Sequence, residues 1–170
     1  MATEWATAWK EKFIHPQIIQ ERVEEIRQGG KAIVTLNGSF DLLHAGHLHI
    51  IHTAKCQGDL LIVALNSDGS IRGYKGPDRP IIDLSNRLQM MAALGFVDYV
   101  TWFDEATPVQ LLEKIRPDVH VNGAEYGQNC VEKEVVERYG GKIYIVDLIP
   151  GLSTSAILDK IRSLQEAPCV

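Results

Sequence analysis

The chain has 170 residues, 45% of them apolar and 23% charged, which is the composition of one globular domain with a sizeable core. Its formal net charge of −5 argues against non-specific binding to nucleic acid or to an anionic membrane surface. Cys56, Cys130 and Cys169 form no C-x-x-C pair, and no signal peptide or 18-residue apolar run is present. We therefore expect a soluble cytoplasmic protein without a disulfide framework or a cysteine-based metal site.

The N-terminal 30 residues are predicted to form a helical extension of the domain that spans residues 31–170. Two helices are expected, at 3–13 and 16–28, and the second ends at Gly29-Gly30. Trp5, Trp9 and Phe13 lie near helical spacing, so the extension packs on the core domain or on a second subunit. A monomer and a homodimer both remain open.

Short apolar runs then alternate with helical patterns. Strands are predicted at 32–36, 60–65, 98–102, 118–121 and 142–146, with helices between them. The longest polar, glycine-rich stretch, 66–80, is predicted to be a functional or mobile loop. The last helix follows Ser153-Thr154-Ser155 and is expected to turn its apolar side chains toward the core: Ile157, Leu158 and Ile161.

This alternation predicts an α/β fold, a Rossmann-like three-layer sandwich with a five-stranded parallel sheet. In such sheets ligands bind beyond the carboxyl ends of the strands, at the point where the strand order reverses. The segments 37–47, 66–80 and 122–127 and the turn before Ser153 all follow strands. We therefore expect them to lie together at one edge.

Residues 37–47, with the sequence NGSFDLLHAGH, form the junction between the first strand and its helix. Unpaired backbone N–H groups and the helix dipole make such a junction suitable for phosphate. His44 and His47, separated by Ala45 and Gly46, can both donate to oxygens of one polyphosphate. The loop has neither G-x-G-x-x-G nor the P-loop pattern, so we expect a nucleotide site of another kind.

The segment from Gly38 to His47 resembles the G-x-F-D-x-x-H-x-G-H signature of the cytidylyltransferase-like nucleotidyltransferases. Further segments occur in the order that this family uses, and the resemblance extends from Ile33 to Ile161. They are the stretches at 54–59, 66–68, 75–76, 79–80 and 152–157, together with Arg87. Within the superfamily, the chain is similar to the adenylyltransferase domain of ADP-heptose synthase.

That resemblance implies transfer of AMP from ATP to D-glycero-β-D-manno-heptose 1-phosphate, giving ADP-heptose and pyrophosphate for lipopolysaccharide biosynthesis. The sugar-phosphate oxygen would attack the α-phosphorus in line, with Mg²⁺ bridging phosphates and no metal held by a dedicated protein site. A separate sugar kinase is also implied, because bifunctional relatives carry one on the same chain and this length leaves no room for it.

The resemblance assigns roles to residues. His44, His47 and Lys75 would be catalytic, the histidines on the triphosphate and Lys75 on the leaving group or the acceptor phosphate. Arg87 would bind phosphate bidentately, and Asp41 would organise the loop or contact the nucleotide. The remaining candidates for nucleotide or phosphate binding are Asn37, Gly38, Ser39, Phe40, Gly46, Asn66, Asp68, Asn122, Gly123, Glu125, Ser153, Thr154 and Ser155.

Two departures bear on the substrate. Heptose adenylyltransferases usually have Lys-Gly-Gly-Asp where this chain has residues 122–125, NGAE, which leaves the acceptor open. Glycerol-3-phosphate cytidylyltransferases have an arginine shortly before the Ser-Thr-Thr motif, where this chain has residues 148–151, LIPG. This difference favours adenylyl transfer, with a cytidylyltransferase for glycerol 3-phosphate or a related alcohol phosphate as the alternative.

Other interpretations remain at this stage. His47-Leu48-His49 can be read as a nucleotidylated-histidine site, and the fold can serve as a nucleotide-sensing module without catalysis. His49 and His52 extend the histidine cluster, but no Cys or carboxylate at ligand spacing supports zinc. Residues 153–155 are at minimum an N-cap, and Asn122-Gly123 can be only a turn.

Overall fold

The computed structural model describes residues 4–127 and 129–166. Five strands form one parallel sheet in the order β3-β2-β1-β4-β5. They are β1 (Ile33–Gly38), β2 (Leu60–Asn66), β3 (Tyr99–Phe103), β4 (Val119–Gly123) and β5 (Lys142–Val146). The predicted α/β sandwich with a five-stranded parallel sheet is confirmed.

Helices cover both faces of the sheet, as buried apolar strands require. They are α1 (Trp5–Ala8), a short 3₁₀ helix (Trp9–Lys12), α2 (Ile19–Gln28), α3 (Ala45–Lys55), α4 (Asp68–Lys75), α5 (Leu84–Ala92), α6 (Val109–Ile115), α7 (Lys133–Arg138) and α8 (Thr154–Glu166). None of these helices combines the length and hydropathy that a bilayer crossing needs.

Alternate strand residues face two different helical layers. On one face, α3 and α5 pack on side chains such as Val34, Val63 and Val121. On the other face, Ile33 and Ile62 pack with side chains from α2 and α6. This division follows from the period-2 alternation of side chains along each strand.

The N-terminal segment packs on the core domain, one of the two predicted alternatives. Trp9 and Phe13 contact the first apolar cluster, and Ile19 and Val23 of α2 belong to the second. Phe13 pairs with Val100 of β3 in an isolated parallel bridge. The segment before β1 therefore contributes to both layers of the sandwich.

The stretch 66–80 was wrongly predicted as one long loop, because residues 68–75 within it form α4. The Ser67 hydroxyl accepts a hydrogen bond from the Ser70 amide and so caps this helix. Within the helix, the side chain of Ile71 is fully buried. Glycines at 69 and 73 lower the intrinsic helix propensity, so tertiary burial outweighs the local sequence signal.

Two further features differ from prediction, namely the end of β4 and the exposure of one side chain of α8. Asn122 and Gly123, placed in a loop by the sequence, are the last residues of β4. In α8, Ile161 is 47% exposed instead of facing the core, while Ile157 and Leu158 are half-buried. An apolar stripe at helical spacing predicts an amphipathic helix but does not identify what covers it.

The sheet core tests this packing directly. Replacing the fully buried Leu65 by alanine leaves a cavity that the neighbouring side chains cannot fill. We expect Leu65→Ala to lower the free energy of unfolding by about 2–5 kcal/mol in urea denaturation. Leu164→Ala, at a side chain that is 68% exposed, is the control and should change it by less than about 0.5 kcal/mol. Equal losses in both variants would contradict the packing described.

Candidate active site

A cavity of about 530 Å³ opens at the carboxyl ends of β1 and β4. These two strands are neighbours at the centre of the sheet, and the chain leaves them toward opposite sides, which makes this the topological switch point. The candidate residues that line it are Asn37, Gly38, Ser39, Phe40, His44, Gly46, His47, Lys75, Asn122, Gly123, Glu125, Ser153, Thr154 and Ser155.

The imidazole rings of His44 and His47 stack on one another at one wall of this cavity. Their centroids lie 3.8 Å apart with an angle of 22° between the planes, and Phe40 contacts His47 edge to face at 5.3 Å. Gly46 permits this arrangement, because a Cβ there would meet the His44 ring at 3.0 Å. The backbone of Phe40 has a positive φ of 46°, which turns the chain sharply between β1 and α3.

Burial lowers the pKa of both histidines and so favours their neutral form. Burial, and then the neighbouring His44 and Lys75, lower the pKa of His47 to about 4. Burial also lowers the pKa of His44. An anion in the cavity would oppose these effects, because a nearby negative charge favours the imidazolium form.

Three buried polar atoms at this cavity have neither a hydrogen-bond partner nor an ion-pair partner among the described residues. They are Nδ1 of His44, Nδ1 of His47 and Oδ1 of Asn37. Buried polar groups in proteins are almost always paired with protein or water, so a cluster of exceptions needs an explanation. All three residues line the same cavity, which suits a polar ligand.

Lys75 reaches the cavity from the last turn of α4. Its Nζ donates to Ser39 Oγ at 2.9 Å, which joins the end of α4 to the loop after β1. Burial first, and then the nearby Arg79, lower the pKa of Lys75, while Asp41 acts in the opposite direction. The side chain is still exposed, so the ammonium group can contact phosphate oxygens of a ligand in the cavity.

Two helix N-termini also border the cavity. Residues 44–47 begin α3, and residues 153–155 begin α8, where Ser153 Oγ accepts a hydrogen bond from the Ala156 amide. The predicted N-cap at Ser153 is thereby confirmed. Since a helix N-terminus carries about half a positive charge, both helices favour an anion at this position.

Asp41 lies outside the cavity lining and organises the loop beneath it. Its carboxylate is fully buried and accepts hydrogen bonds from the amides of Ile81 and Ile82 and from Arg79 Nε at 2.7 Å. Burial alone would raise the pKa of Asp41, but the Ile82 and Ile81 amides and Arg79 together lower it. Of the two predicted roles for Asp41, these contacts support that of loop organiser.

Arg87 also lies outside the cavity lining, fully buried. Its guanidinium donates to the backbone oxygens of Ser39 and Ile82 and to Asp68 Oδ1 at 2.7 Å. These contacts hold it beneath the loop. We therefore replace the predicted phosphate contact of Arg87 with a positioning role, and that of Asp68 with pairing to Arg87.

Asn66 faces a second cavity, of about 520 Å³, which adjoins the first. Its Nδ2 donates to Ser70 Oγ at 3.0 Å.

Two groups absent from the predicted set belong to this region: Arg79, which lines the first cavity, and the buried Glu132, which lines the second. Arg79 was quoted in the family motif, whereas Glu132 lies in a charged helical stretch that resembles an ordinary solvated surface.

Glu125 is the acidic residue on the lining of the first cavity, and its carboxylate lies directly over Gly123. No group of three His, Cys, Asp or Glu side chains within residues 4–127 and 129–166 is arranged to hold a metal ion by itself. This donor set suits a Mg²⁺ ion that arrives with a nucleotide and keeps phosphate and water as its main ligands, with at most one protein carboxylate.

The Asp41 anchor gives a pH-dependent prediction. A carboxyl group with a lowered pKa in the folded state stabilises the fold above its unfolded pKa and loses this effect as the pH falls through the folded value. We expect Asp41→Asn to cost about 3–5 kcal/mol of unfolding free energy near pH 7, since Arg79 loses its buried partner.

The difference between wild type and Asp41→Asn should narrow as the pH falls below about 4. Denaturant unfolding at several pH values measures both quantities. Asp159→Asn, at an exposed pair on α8, serves as the control and should change stability little. If the difference in unfolding free energy between wild type and Asp41→Asn did not narrow in acid, the stabilising role of the Asp41 carboxylate would be contradicted.

Comparison with known proteins agrees with this geometry. The cytidylyltransferase-like family model matches residues 35–165. The chain is 45% identical over 149 residues to the bifunctional protein HldE of Syntrophotalea carbinolica, and 47% identical over 140 residues to that of Geobacter metallireducens. These alignments cover 87% and 82% of the chain but only 30% and 29% of the relatives, so the chain spans less than a third of their length.

Among solved structures, the lipopolysaccharide core biosynthesis protein from Thermoplasma volcanium superposes with a TM-score of 0.58 at 29% identity. The match covers 71% of this chain and 98% of that protein. The range matched by the family model includes the β1–α3 junction. The chain belongs to the cytidylyltransferase-like family.

Proposed function

We propose that the protein is a nucleotidyltransferase that transfers AMP from ATP to D-glycero-β-D-manno-heptose 1-phosphate, releasing pyrophosphate and forming ADP-heptose. The observation that carries the proposal is the set of unpartnered polar atoms of Asn37, His44 and His47 beside Lys75 in one cavity. The similarity to HldE proteins and to a lipopolysaccharide core biosynthesis protein supports the substrate class.

The cavity supplies what an in-line displacement at phosphorus needs. Attack on the α-phosphorus spreads negative charge over phosphate oxygens, so the protein must align two anions and stabilise that charge. The two imidazoles, Lys75 and the N-termini of α3 and α8 are the groups at the cavity that can do so. Since the acceptor phosphate is itself the nucleophile, no nucleophilic side chain is required.

The histidines have a specific role in this mechanism. Burial lowers the pKa of both histidines in the free protein, and the phosphates of ATP would favour protonation. Each ring can then donate to a phosphate oxygen through a nitrogen that has no protein partner. Glu125 is the carboxylate on the cavity lining that would contact Mg²⁺ bound with ATP, and the ion would supply positive charge to the phosphates.

The wider proposal places the reaction in lipopolysaccharide biosynthesis in the cytoplasm. The acceptor is a sugar already phosphorylated at C1, so a sugar kinase must act first, and we propose a separate one. A homodimer also remains a proposal.

The substrate is tested by measuring pyrophosphate release with Mg²⁺ while ATP and CTP are crossed against heptose 1-phosphate and glycerol 3-phosphate. We expect turnover only with ATP and heptose 1-phosphate. Turnover with CTP and glycerol 3-phosphate would retain the fold and the histidine roles but overturn the substrate. Nucleotide trapped covalently on the enzyme would overturn direct displacement, and binding of ATP without turnover would indicate a nucleotide sensor.

The histidines are tested separately. We expect His44→Ala and His47→Ala each to lower kcat by about 10²–10³, since each removes a donor aimed at developing charge. His49→Ala, on α3 but outside the cavity lining, is the matched control and should retain near wild-type kcat. Retention of kcat in both cavity variants would place the chemistry elsewhere.

A further inference from the structure

The second cavity meets the first at the carboxyl end of β1. The residues that line both cavities mark this boundary, where a ligand in one cavity can touch a ligand in the other; they are Asn37, Gly38, Ser39, Lys75, Glu125 and Tyr126. The group transfer proposed above joins two substrates at one phosphorus atom. Two adjoining cavities that share a lysine and a hydroxyl provide that arrangement.

Glu132 lies on the wall of the second cavity and is only 4% exposed. Its Oε2 accepts a hydrogen bond from Asn122 Nδ2 at 3.2 Å, and the thiol of Cys130 lies beside it. No Lys, Arg or His within the described residues pairs with this carboxylate. Burying a carboxylate without a cationic partner is costly, and Asn122 and the Cys130 thiol use only part of its capacity of about four hydrogen bonds.

The other walls of the second cavity are partly aromatic. Tyr74, Phe103 and Tyr126 line it, and the two tyrosines are 55% and 63% exposed. A ligand that fits these walls has hydroxyl groups for the carboxylate and C–H surfaces for the rings. A sugar has both, and its phosphate would reach Ser39 and Lys75 at the shared boundary.

We propose that Glu132 is a specificity-determining residue, which accepts hydrogen bonds from hydroxyl groups of the acceptor sugar phosphate in the second cavity. This inference rests on the proposed function, since it takes the acceptor to be a sugar phosphate. A purely structural role is the competing explanation: Glu132 holds Asn122, and Asn122 lines the first cavity. The two roles differ in which substrate they affect.

Steady-state kinetics of Glu132→Gln separates these roles, because glutamine keeps the size of the side chain and one oxygen acceptor for Asn122. A hydrogen bond to a charged group contributes more than a neutral one, so we expect the KM for heptose 1-phosphate to rise tenfold or more. The KM for ATP should stay within about twofold of wild type. Glu134→Gln, on the exposed side of α7, is the matched control and should leave both values unchanged.

An unchanged KM for heptose 1-phosphate would overturn the inference, and so would an equal rise in both KM values, which indicates a structural role through Asn122. If Glu132→Gln does not fold, wild-type enzyme is assayed with heptose 1-phosphates that each lack one hydroxyl. At least one should lose tenfold or more in kcat/KM, and uniform turnover of the series would overturn the inference.

Failure of the proposed function would give a different assay result. It is the absence of pyrophosphate release from wild-type enzyme with ATP and heptose 1-phosphate, a result obtained before any variant is made. That result would remove this inference too. Wild-type turnover combined with an unaffected Glu132→Gln variant would remove the inference alone.

Discussion

The buried carboxylate of Asp41 is the contact on which the site depends. It joins the loop after β1 to residues 79–82, through Arg79 and two backbone amides. Arg87 strengthens the same connection by donating to the backbone of Ser39 and Ile82. The loop therefore keeps the positive φ of Phe40, which turns the chain toward the histidines. A charge buried at this depth is tolerated because almost every acceptor position has a donor.

Above that anchor, burial disfavours positive charge on the two histidines, while Lys75 and Arg79 bring cationic groups to the same cavity. Stacked imidazoles at 3.8 Å would repel one another if both were protonated, and burial disfavours either charge. Partial burial also lowers the pKa of Lys75, whose Nζ donates to Ser39 Oγ. A polyphosphate would reverse these penalties, so binding and protonation are coupled at this position. Preorganised donors of this kind act on transition-state charge without further rearrangement.

Strand order determines where the chemistry can occur. β1 and β4 lie side by side, and their ends deliver Asn37, Gly38, Asn122 and Gly123 to one edge. Helices leave this edge on both faces of the sheet, which opens a crevice between them. The second cavity extends from the same edge toward Glu132, so both substrate positions follow from one topological feature. The histidines of the family signature line the first cavity, its Gly38 and Ser39 line both, and Glu125 and Tyr126 also contribute to both walls.

Local sequence determined the sheet, the β1–α3 junction and the histidine pair. The signals for these features are apolar runs, a glycine and a helix start, and each lies within a few consecutive residues. It also indicated the cap at Ser153. Only tertiary structure decided that residues 68–75 are helical, since burial of Ile71 outweighs two glycines. It likewise decided that Arg87 is buried beneath the loop and that Glu132 faces a cavity. Burial of a charged side chain depends on contacts distant in sequence, such as Arg87 with Ser39, and residue spacing does not encode these contacts.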